Sequence, residues 1–238
     1  MTTEPSPLQP EPQHQGARLD LTDKNIPGYI AVEGPIGAGK TTLAKRLAQT
    51  FNYNTLLEQA EDNPFLERFY QDPKSSALPT QLHFLFQRAK QIQELRQGDM
   101  FQPVRIADFL MAKDQLFAQT ILDDDELHLY QQVYNQLTID APTPDLVIYL
   151  QAPVNVLQDR IHRRGIPMEQ QIRDDYLQRL HEAYTRFFLY YDQSPLLIIN
   201  AEKIDWINNP QDYANLVDVI LDTKPGRHFY NPSSDINF

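Results

Sequence analysis

The sequence predicts an α/β fold: a five-stranded parallel sheet with helices on both faces. Short apolar segments alternate along the chain with longer segments whose apolar residues recur at helical spacing. The short segments lack a strict apolar–polar pattern, which indicates burial on both sides of the sheet. Strands and helices in this order are typical of a parallel sheet covered on both faces. The predicted strands are residues 29–33, 55–58, 103–108, 146–150 and 196–200.

Four apolar stripes predict the principal helices. They run through residues 43–51, 82–92, 127–137 and 172–191. The stripe at 127–137 fits either the core or half of a dimer interface. Folds of this class bind ligands beyond the carboxyl ends of the strands. The residues that follow the predicted strands are therefore the first candidates for a functional site.

One folded domain, residues 28–222, is expected between two loosely held ends. The first 24 residues contain four prolines and no aromatic side chain, so residues 1–27 are predicted to form a disordered extension. They lack the basic start and apolar stretch of a secretory signal. Proline, glycine and serine punctuate residues 223–238, which predicts a loosely ordered tail.

The composition excludes several classes of function. The chain has 32 acidic and 21 basic residues among 238, a formal charge of −11, which argues against a polymeric nucleic acid or a membrane surface as partner. No cysteine is present, which excludes disulfides, thiolate metal sites and a cysteine nucleophile, and suits a reducing cytosol. No apolar segment approaches the roughly 20 residues of a membrane span. We therefore expect a cytoplasmic protein.

The segment after the first predicted strand matches the phosphate-binding pattern G-x-x-x-x-G-K-[ST], and a helix is predicted to begin at Lys40. Glycines let backbone N–H groups face a bound phosphate, and the helix amino end adds partial positive charge. Lys40 is expected to reach the β- and γ-phosphates, and the Thr41 hydroxyl to ligate Mg²⁺. We therefore predict ATP and Mg²⁺ as cofactors. The predicted nucleotide contacts are Gly34, Pro35, Ile36, Gly37, Ala38, Gly39, Lys40, Thr41 and Thr42.

Two carboxylates are expected beside this loop, at the ends of the second and third predicted strands. Glu58 ends the second strand, where a carboxylate can accept a proton from a hydroxyl that attacks the γ-phosphate. Because its charge would repel an acceptor that already carries a phosphate, Glu58 favours an alcohol as acceptor. Asp108 ends the third strand, where it can reach Mg²⁺ directly or through water.

A candidate nucleobase site lies on the helix between these strands. Gln81 and Arg88 are seven residues apart on one face, with the apolar Leu85 between them. An amide and a guanidinium in this arrangement can hydrogen-bond a base. Tyr70, Gln81 and Asp114 fit packing or capping roles when each is considered alone. Only their spacing from the other candidates makes them part of a site.

Three arginines, Arg160, Arg163 and Arg164, share one helical face after the fourth predicted strand. Guanidinium groups match phosphate oxygens and stabilise charge on a transferring phosphoryl group. A solvated basic surface is the alternative. The cluster is isolated in an acidic protein, which favours a lid that closes over the phosphates. Arg160 and Arg164 are its predicted catalytic members.

Together these residues resemble the deoxynucleoside kinase family, above all its bacterial deoxyadenosine and deoxyguanosine kinase branch. The likeness extends from residue 29 to residue 221. It implies a P-loop kinase fold with a helical lid, ATP and Mg²⁺ as cofactors, a deoxynucleoside substrate and a homodimer.

The resemblance also implies a role for each candidate residue. Glu58 corresponds to the catalytic base of the family. Tyr70, eleven residues before Gln81, corresponds to a tyrosine directed at the sugar 3′-hydroxyl. Glu169 follows the lid arginines at the same spacing as a family glutamate that binds the same hydroxyl. The residues that correspond to base contacts are Gln81, Arg88 and Asp114.

Two positions depart from the family pattern. Phe109 stands where the family has an arginine that pairs with the catalytic glutamate, and Ile166 replaces the third arginine of the lid. Arg88 or a lid arginine must then supply the missing charge, or turnover is slow. Arg163 is a candidate substitute within the lid.

Three hypotheses follow. The leading one is an ATP-dependent kinase that phosphorylates the 5′-hydroxyl of a purine deoxynucleoside. A thymidylate-kinase-like enzyme would act instead on a monophosphate and would need a basic cluster near the acceptor. A nucleotide-binding protein with weakened catalysis and a regulatory role is the third, suggested by the residues at positions 109 and 166.

Overall fold

The computed structural model describes residues 21–22, 24–97, 104–137 and 141–232. Within these ranges six strands form one sheet: β1 (Ile30–Glu33), β2 (Asn54–Leu56), β3 (Val104–Ala107), β4 (Leu146–Gln151), β5 (Leu196–Asn200) and β6 (Arg227–Tyr230). The helices are α1 (Lys40–Phe51), α2 (Leu66–Gln71), α3 (Pro73–Gln97), α4 (Lys113–Ile121), α5 (Asp124–Gln136), α6 (Val154–Arg164), α7 (Asp174–Tyr190) and α8 (Pro210–Asp222). Short 3₁₀ turns span Ala60–Asp62 and Pro167–Gln171.

The strands follow the spatial order β2-β3-β1-β4-β5-β6, and every neighbouring pair is parallel. β1 lies inside the sheet, with Ile30 opposite Ile106 of β3 and Leu146 of β4. Because the strands are parallel, their carboxyl ends meet at one edge. The loop after β1 and the residues after β2 and β3 therefore face a common space.

Both faces of the sheet are buried, as the sequence predicts. In β1, Ile30 and Val32 pack into the core beneath α1, α6 and α8, whereas Ala31 packs into the opposite core. In β4, Ile148 belongs to the first core and Tyr149 to the second. This two-sided burial explains why the strands are apolar at consecutive positions rather than at every second one.

The predicted helices and strands form, with one shift that bears on the site. The second strand is Asn54–Leu56, whereas the prediction was 55–58. The Leu56 carbonyl accepts the last hydrogen bond of this strand pair, from the Asp108 N–H. Beyond it, the Glu58 N–H donates to the Asp108 side chain at 2.7 Å, so the chain has left the sheet. Glu58 still lies at the carboxyl edge.

The prediction of five strands is wrong, because β6 extends the sheet. This strand lies in the segment 223–238 and pairs with β5 from Leu196–Arg227 to Ile199–Tyr230. Its side chains are alternately exposed and half-buried, and Phe229 is exposed. An edge strand with a charged and a histidine side chain carries no apolar run, so periodicity does not reveal it.

Part of the predicted N-terminal extension is described, and Leu21 and Ile26 pack against the core. Residues 1–20, 23 and 233–238 lie outside the described residues. Across the helices that the structure describes, none is both long and apolar enough to cross a membrane.

Truncation tests the contribution of β6. Removing residues 224–238 deletes β6 and leaves the buried β5 as an unpaired edge, so we expect the melting temperature to fall by about 5 °C or more. A control truncation that removes residues 233–238 leaves β6 intact and is expected to melt close to the full chain. Equal melting temperatures for all three proteins would contradict a stabilising role for β6.

Candidate active site

The phosphate-binding loop connects the end of β1 to the start of α1, as predicted. Gly37 and Gly39 adopt φ angles of 84° and 96°, in the left-handed region that favours glycine. A Cβ at Gly37 would lie 2.7 Å from the Leu157 carbonyl oxygen, and one at Gly39 would lie 2.9 Å from the Trp206 ring. Close packing as well as backbone conformation therefore requires glycine at both positions.

Lys40 begins α1 and lies over the loop. Its Nζ donates to the carbonyl oxygens of Gly34 at 2.8 Å and Pro35 at 3.2 Å. Burial lowers the pKa of Lys40, and the nearby charge of Lys113 lowers it further. The first N–H groups of α1 have no partner inside the helix, so this end of the helix can bind an anion. Loop, lysine and helix together form a phosphate site.

Thr41 and Asp108 supply oxygen ligands of the kind that Mg²⁺ prefers. The Thr41 hydroxyl donates to Asp108 Oδ2 at 2.5 Å, beside the phosphate loop. No group of three or more His, Cys, Asp or Glu residues suited to a metal occurs in the described ranges. A magnesium ion commonly takes one or two protein oxygens and completes its octahedron with phosphates and water. The pair Thr41 and Asp108 fits that requirement.

Five charged side chains of alternating sign run behind the phosphate site. In order they are Glu33, Lys113, Glu58, Arg88 and Asp114, and we call them the buried charge chain. Arg88 bridges Glu58 Oε1 and Asp114 Oδ1, and Lys113 Nζ lies 3.2 Å from Glu58 Oε2 and 3.6 Å from Glu33 Oε1. The side chains of four members are at most 3% exposed. Glu58, at 18%, is the most exposed member, and it lines a cavity beside the phosphate loop.

Glu33 anchors one end of this chain. Its carboxylate is fully buried and accepts hydrogen bonds from the N–H groups of Gly34 at 3.1 Å and Leu110 at 2.6 Å. The Tyr184 hydroxyl donates to it at 3.1 Å. Glu33 therefore ties the start of the phosphate loop to α7 and to the segment before α4.

The buried charge chain shifts the pKa values of Glu58 and Asp114 in opposite directions. Burial raises the pKa of Glu58, but the positive charges of Arg88, Lys113 and Lys40 outweigh it and lower the value to about 2. For Asp114 burial is the larger effect and raises the pKa to about 6, although Arg88 opposes it. Asp114 Oδ2 is buried without a hydrogen-bond partner. Glu58 is thus a carboxylate at neutral pH, whereas Asp114 titrates near it.

Two of the three predicted base-contacting residues, Gln81 and Arg88, lie at one end of the cavity, whereas Asp114 is fully buried against Arg88 and is not part of the lining. Gln81 is buried on α3, and its Oε1 has no hydrogen-bond partner, nor does Arg88 Nε. Phe84 lines the same wall, with its ring centre 5.1 Å from the Arg88 guanidinium. Buried polar atoms without partners are unfavourable unless a ligand or water satisfies them. This end of the cavity therefore suits a planar group with several donors and acceptors.

The two predicted lid arginines point to different places. Arg164 pairs with Glu169 at 2.5 Å, and both border the cavity that contains Glu58 and Tyr70. Arg160 donates to the Ala201 carbonyl at 2.7 Å and borders a neighbouring cavity on the other side of the loop, with Trp206. Of the pair, Arg164 and not Arg160 borders the cavity that contains Glu58.

One cavity brings together most of the predicted site. Its lining includes Ile36, Gly37, Gly39, Lys40, Thr41, Thr42, Glu58, Tyr70, Gln81, Arg88, Asp108, Arg164 and Glu169. Sequence reasoning missed Glu33 and Lys113 as members of the site. Lys113 carried a usable signal, since a lysine directly after the apolar run Phe109–Ala112 must find a carboxylate if that run is buried.

The pKa of Asp114 predicts a pH-dependent stability. An acid whose pKa rises on folding, here from 3.8 to about 6, stabilises the fold most at low pH. We therefore expect the unfolding free energy of the wild type to fall, relative to that of Asp114→Asn, by up to roughly 1 kcal/mol per pH unit as pH rises between these values. Urea unfolding from pH 4 to pH 8 measures the difference.

The control for this prediction is Asp218→Asn, which removes an exposed carboxylate from α8. A difference between wild type and Asp114→Asn that stays constant between pH 4 and pH 6, or that grows in favour of the wild type, would contradict the assignment.

Comparison with known proteins agrees with this geometry. The family model described as deoxynucleoside kinase matches residues 30–223. Deoxyguanosine kinase of Bacillus subtilis (strain 168) is 35% identical over 201 residues, covering 81% of this chain and 95% of the relative. Deoxyadenosine/deoxycytidine kinase of the same organism is 30% identical, with 84% and 95% covered. The structure of deoxyadenosine kinase from M. mycoides with bound dATP superposes with a TM-score of 0.69 at 26% identity, covering 80% of this chain and 98% of that one. The chain belongs to the deoxynucleoside kinase family.

Proposed function

We propose that this protein transfers the γ-phosphoryl group of ATP to the 5′-hydroxyl of a purine deoxynucleoside. The observation that carries the proposal is one cavity lined by the phosphate loop, by Glu58 and by Gln81 and Arg88, each of which has an unpaired polar atom. Phosphoryl transfer needs a phosphate donor and an acceptor hydroxyl held in line. The cavity offers a site for each.

The donor phosphates are bound at the start of α1. Lys40 exchanges its contacts with the Gly34 and Pro35 carbonyls for the β- and γ-phosphates, and the loop amides hold the remaining oxygens. Thr41 and Asp108 would hold Mg²⁺, which when bound neutralises charge on the phosphates. Asp108 also accepts the Glu58 N–H, so the metal site and the acceptor site share one residue.

Glu58 receives the proton of the attacking 5′-hydroxyl. With a pKa of about 2 it is ionised at neutral pH and can accept a hydrogen bond from the hydroxyl in the resting complex. As the new O–P bond forms and the bond to the ADP oxygen breaks, the hydroxyl proton passes to the carboxylate. Because the transition state of phosphoryl transfer is loose, orienting the hydroxyl contributes much of the effect.

The lid and the sugar contacts complete the site. Arg164, now paired with Glu169, is placed to turn toward the transferring phosphoryl group when nucleotides bind. Glu169 and Tyr70 then hold the sugar 3′-hydroxyl. Arg160, which lies against Ala201 and near Trp206, contacts the donor nucleotide instead of the acceptor.

A purine is supported by the base end of the cavity and by the relatives. Gln81 offers an amide donor and acceptor in the cavity, and Asp114, which has an unpaired oxygen, holds Arg88 beside it. Relatives named for deoxyguanosine and for deoxyadenosine, one of the latter also for deoxycytidine, are among the most similar proteins. A monophosphate acceptor is disfavoured because the only basic residue between Glu58 and Tyr70 is Arg68, whose guanidinium stacks over Phe65 at 5.5 Å.

A homodimer, a cytoplasmic location and the lack of a nucleic-acid or membrane partner remain predictions. The alternative of weakened catalysis is opposed by the charges around Glu58, since Arg88 and Lys113 both contact its carboxylate despite the phenylalanine at position 109.

Replacing the base tests its role. We expect Glu58→Gln to lower kcat by about 100-fold or more, because an amide cannot accept the proton, while ATP binds with nearly unchanged affinity. Glu61→Gln, which alters an exposed carboxylate in the next turn, is the control and is expected to keep wild-type turnover. Near-normal kcat in Glu58→Gln would remove this residue from the role of base.

A substrate panel tests the acceptor. With labelled ATP and Mg²⁺, we expect transfer to deoxyguanosine and deoxyadenosine at higher kcat/KM than to deoxycytidine and thymidine. Transfer only to deoxynucleoside monophosphates would support the thymidylate-kinase-like alternative. ATP binding without transfer to any acceptor would support the regulatory one.

A further inference from the structure

Lys113 is a buried lysine that lies between two carboxylates, one of them the proposed base Glu58. It is the first residue of α4, its side chain is 3% exposed, and its Nζ lies between Glu58 Oε2 at 3.2 Å and Glu33 Oε1 at 3.6 Å. The four residues immediately before it, Phe109–Ala112, are apolar, and the first three of them are buried. A cation in such surroundings is unfavourable unless carboxylates compensate it. The first turn of a helix adds to the cost, because the helix dipole there disfavours positive charge.

Of the two carboxylates, Glu58 depends more on Lys113. Glu33 accepts three other hydrogen bonds, from two backbone N–H groups and from the Tyr184 hydroxyl. Glu58 has one cation at each oxygen, Arg88 at Oε1 and Lys113 at Oε2. Arg88 is shared with Asp114, at the base end of the cavity. Without Lys113 the Glu58 carboxylate would keep one cation in direct contact, Arg88, and that cation is also bound to Asp114.

The residue at position 109 explains why a lysine is needed. Phe109 stands where the family resemblance leads us to expect an arginine beside the glutamate, and its buried ring lies 6.0 Å from the Arg88 guanidinium. It supplies no charge to Glu58. Lys113 brings that charge from four residues further along the chain.

We propose that Lys113 is the positioning residue that holds the Glu58 carboxylate for proton transfer, in place of the arginine absent at position 109. The inference rests on the proposed role of Glu58 as the base. Lys113 acts through Glu58 and takes no proton itself. Its two contacts also fix the distance between Glu58 and the start of the phosphate loop, since Glu33 precedes Gly34 directly.

Charge removal at Lys113 tests this assignment. We expect Lys113→Met to lower kcat at least about tenfold, because a misplaced base is a poor proton acceptor, with KM for ATP and for deoxynucleoside within about twofold of wild type. Lys113→Arg keeps the charge and is expected to recover most of the lost kcat. If Lys113→Met does not fold, Lys113→Gln replaces it with the same expected split between kcat and KM.

Moving the charge back provides a sharper test. In the Lys113→Met background, Phe109→Arg is expected to restore kcat severalfold, whereas Phe109→Leu is expected to restore nothing. A merely structural role is tested by adding Glu33→Gln to Lys113→Met, which removes the carboxylate left without its cation. We expect this pair to regain melting temperature but not kcat.

Three results would overturn the proposal: wild-type kcat in Lys113→Met, loss of kcat in Lys113→Arg equal to that in Lys113→Met, or recovery of kcat on adding Glu33→Gln. Glu58→Gln measured in parallel distinguishes the role of Glu58 as the base from the role of Lys113 in positioning it. Normal turnover in Glu58→Gln would refute Glu58 as the base, whereas a defect there together with a normal Lys113→Met would refute the role of Lys113 alone.

Discussion

The site depends on one interaction, the alternation of charge from Glu33 through Lys113, Glu58 and Arg88 to Asp114. These residues come from the end of β1, the segment after β2, α3 and α4, so the chain of contacts joins four separate parts of the fold. Three carboxylates share two cations. Loss of Lys113 or Arg88 would leave a buried carboxylate, Glu33 or Asp114, without its cation, which is far less favourable than losing an exposed ion pair.

The same arrangement separates the acid–base properties of its members. Glu58, between two cations, has a pKa of about 2, whereas Asp114, at the end and with one unpaired oxygen, has a pKa of about 6. Environments that give two carboxyl groups widely different pKa values are typical of sites where each carboxyl has a different task. Here Glu58 lines the cavity, whereas Asp114 is fully buried behind it. Arg88 contacts both carboxylates, so their charge states are physically connected.

Much of this could be predicted from the sequence, because local patterns determine it. The phosphate loop is a contiguous motif, and apolar strands imply a parallel sheet whose ends place Glu58 and Asp108 together. The sixth strand could not be predicted, since an edge strand needs no apolar run. Lys113 and the position of Arg160 were missed for another reason. Their partners, Glu58 and Ala201, are distant along the chain and become neighbours only through the fold.

The most direct test of the central claim is a double-mutant cycle on the single-turnover rate of phosphoryl transfer, with wild type, Glu58→Gln, Lys113→Met and the double variant. If Lys113 acts through the Glu58 carboxylate, the double variant transfers phosphate at the rate of Glu58→Gln alone, since the carboxylate that Lys113 positions is already absent. If the two effects multiply, Lys113 acts independently of Glu58, and the charge chain is not what prepares the base.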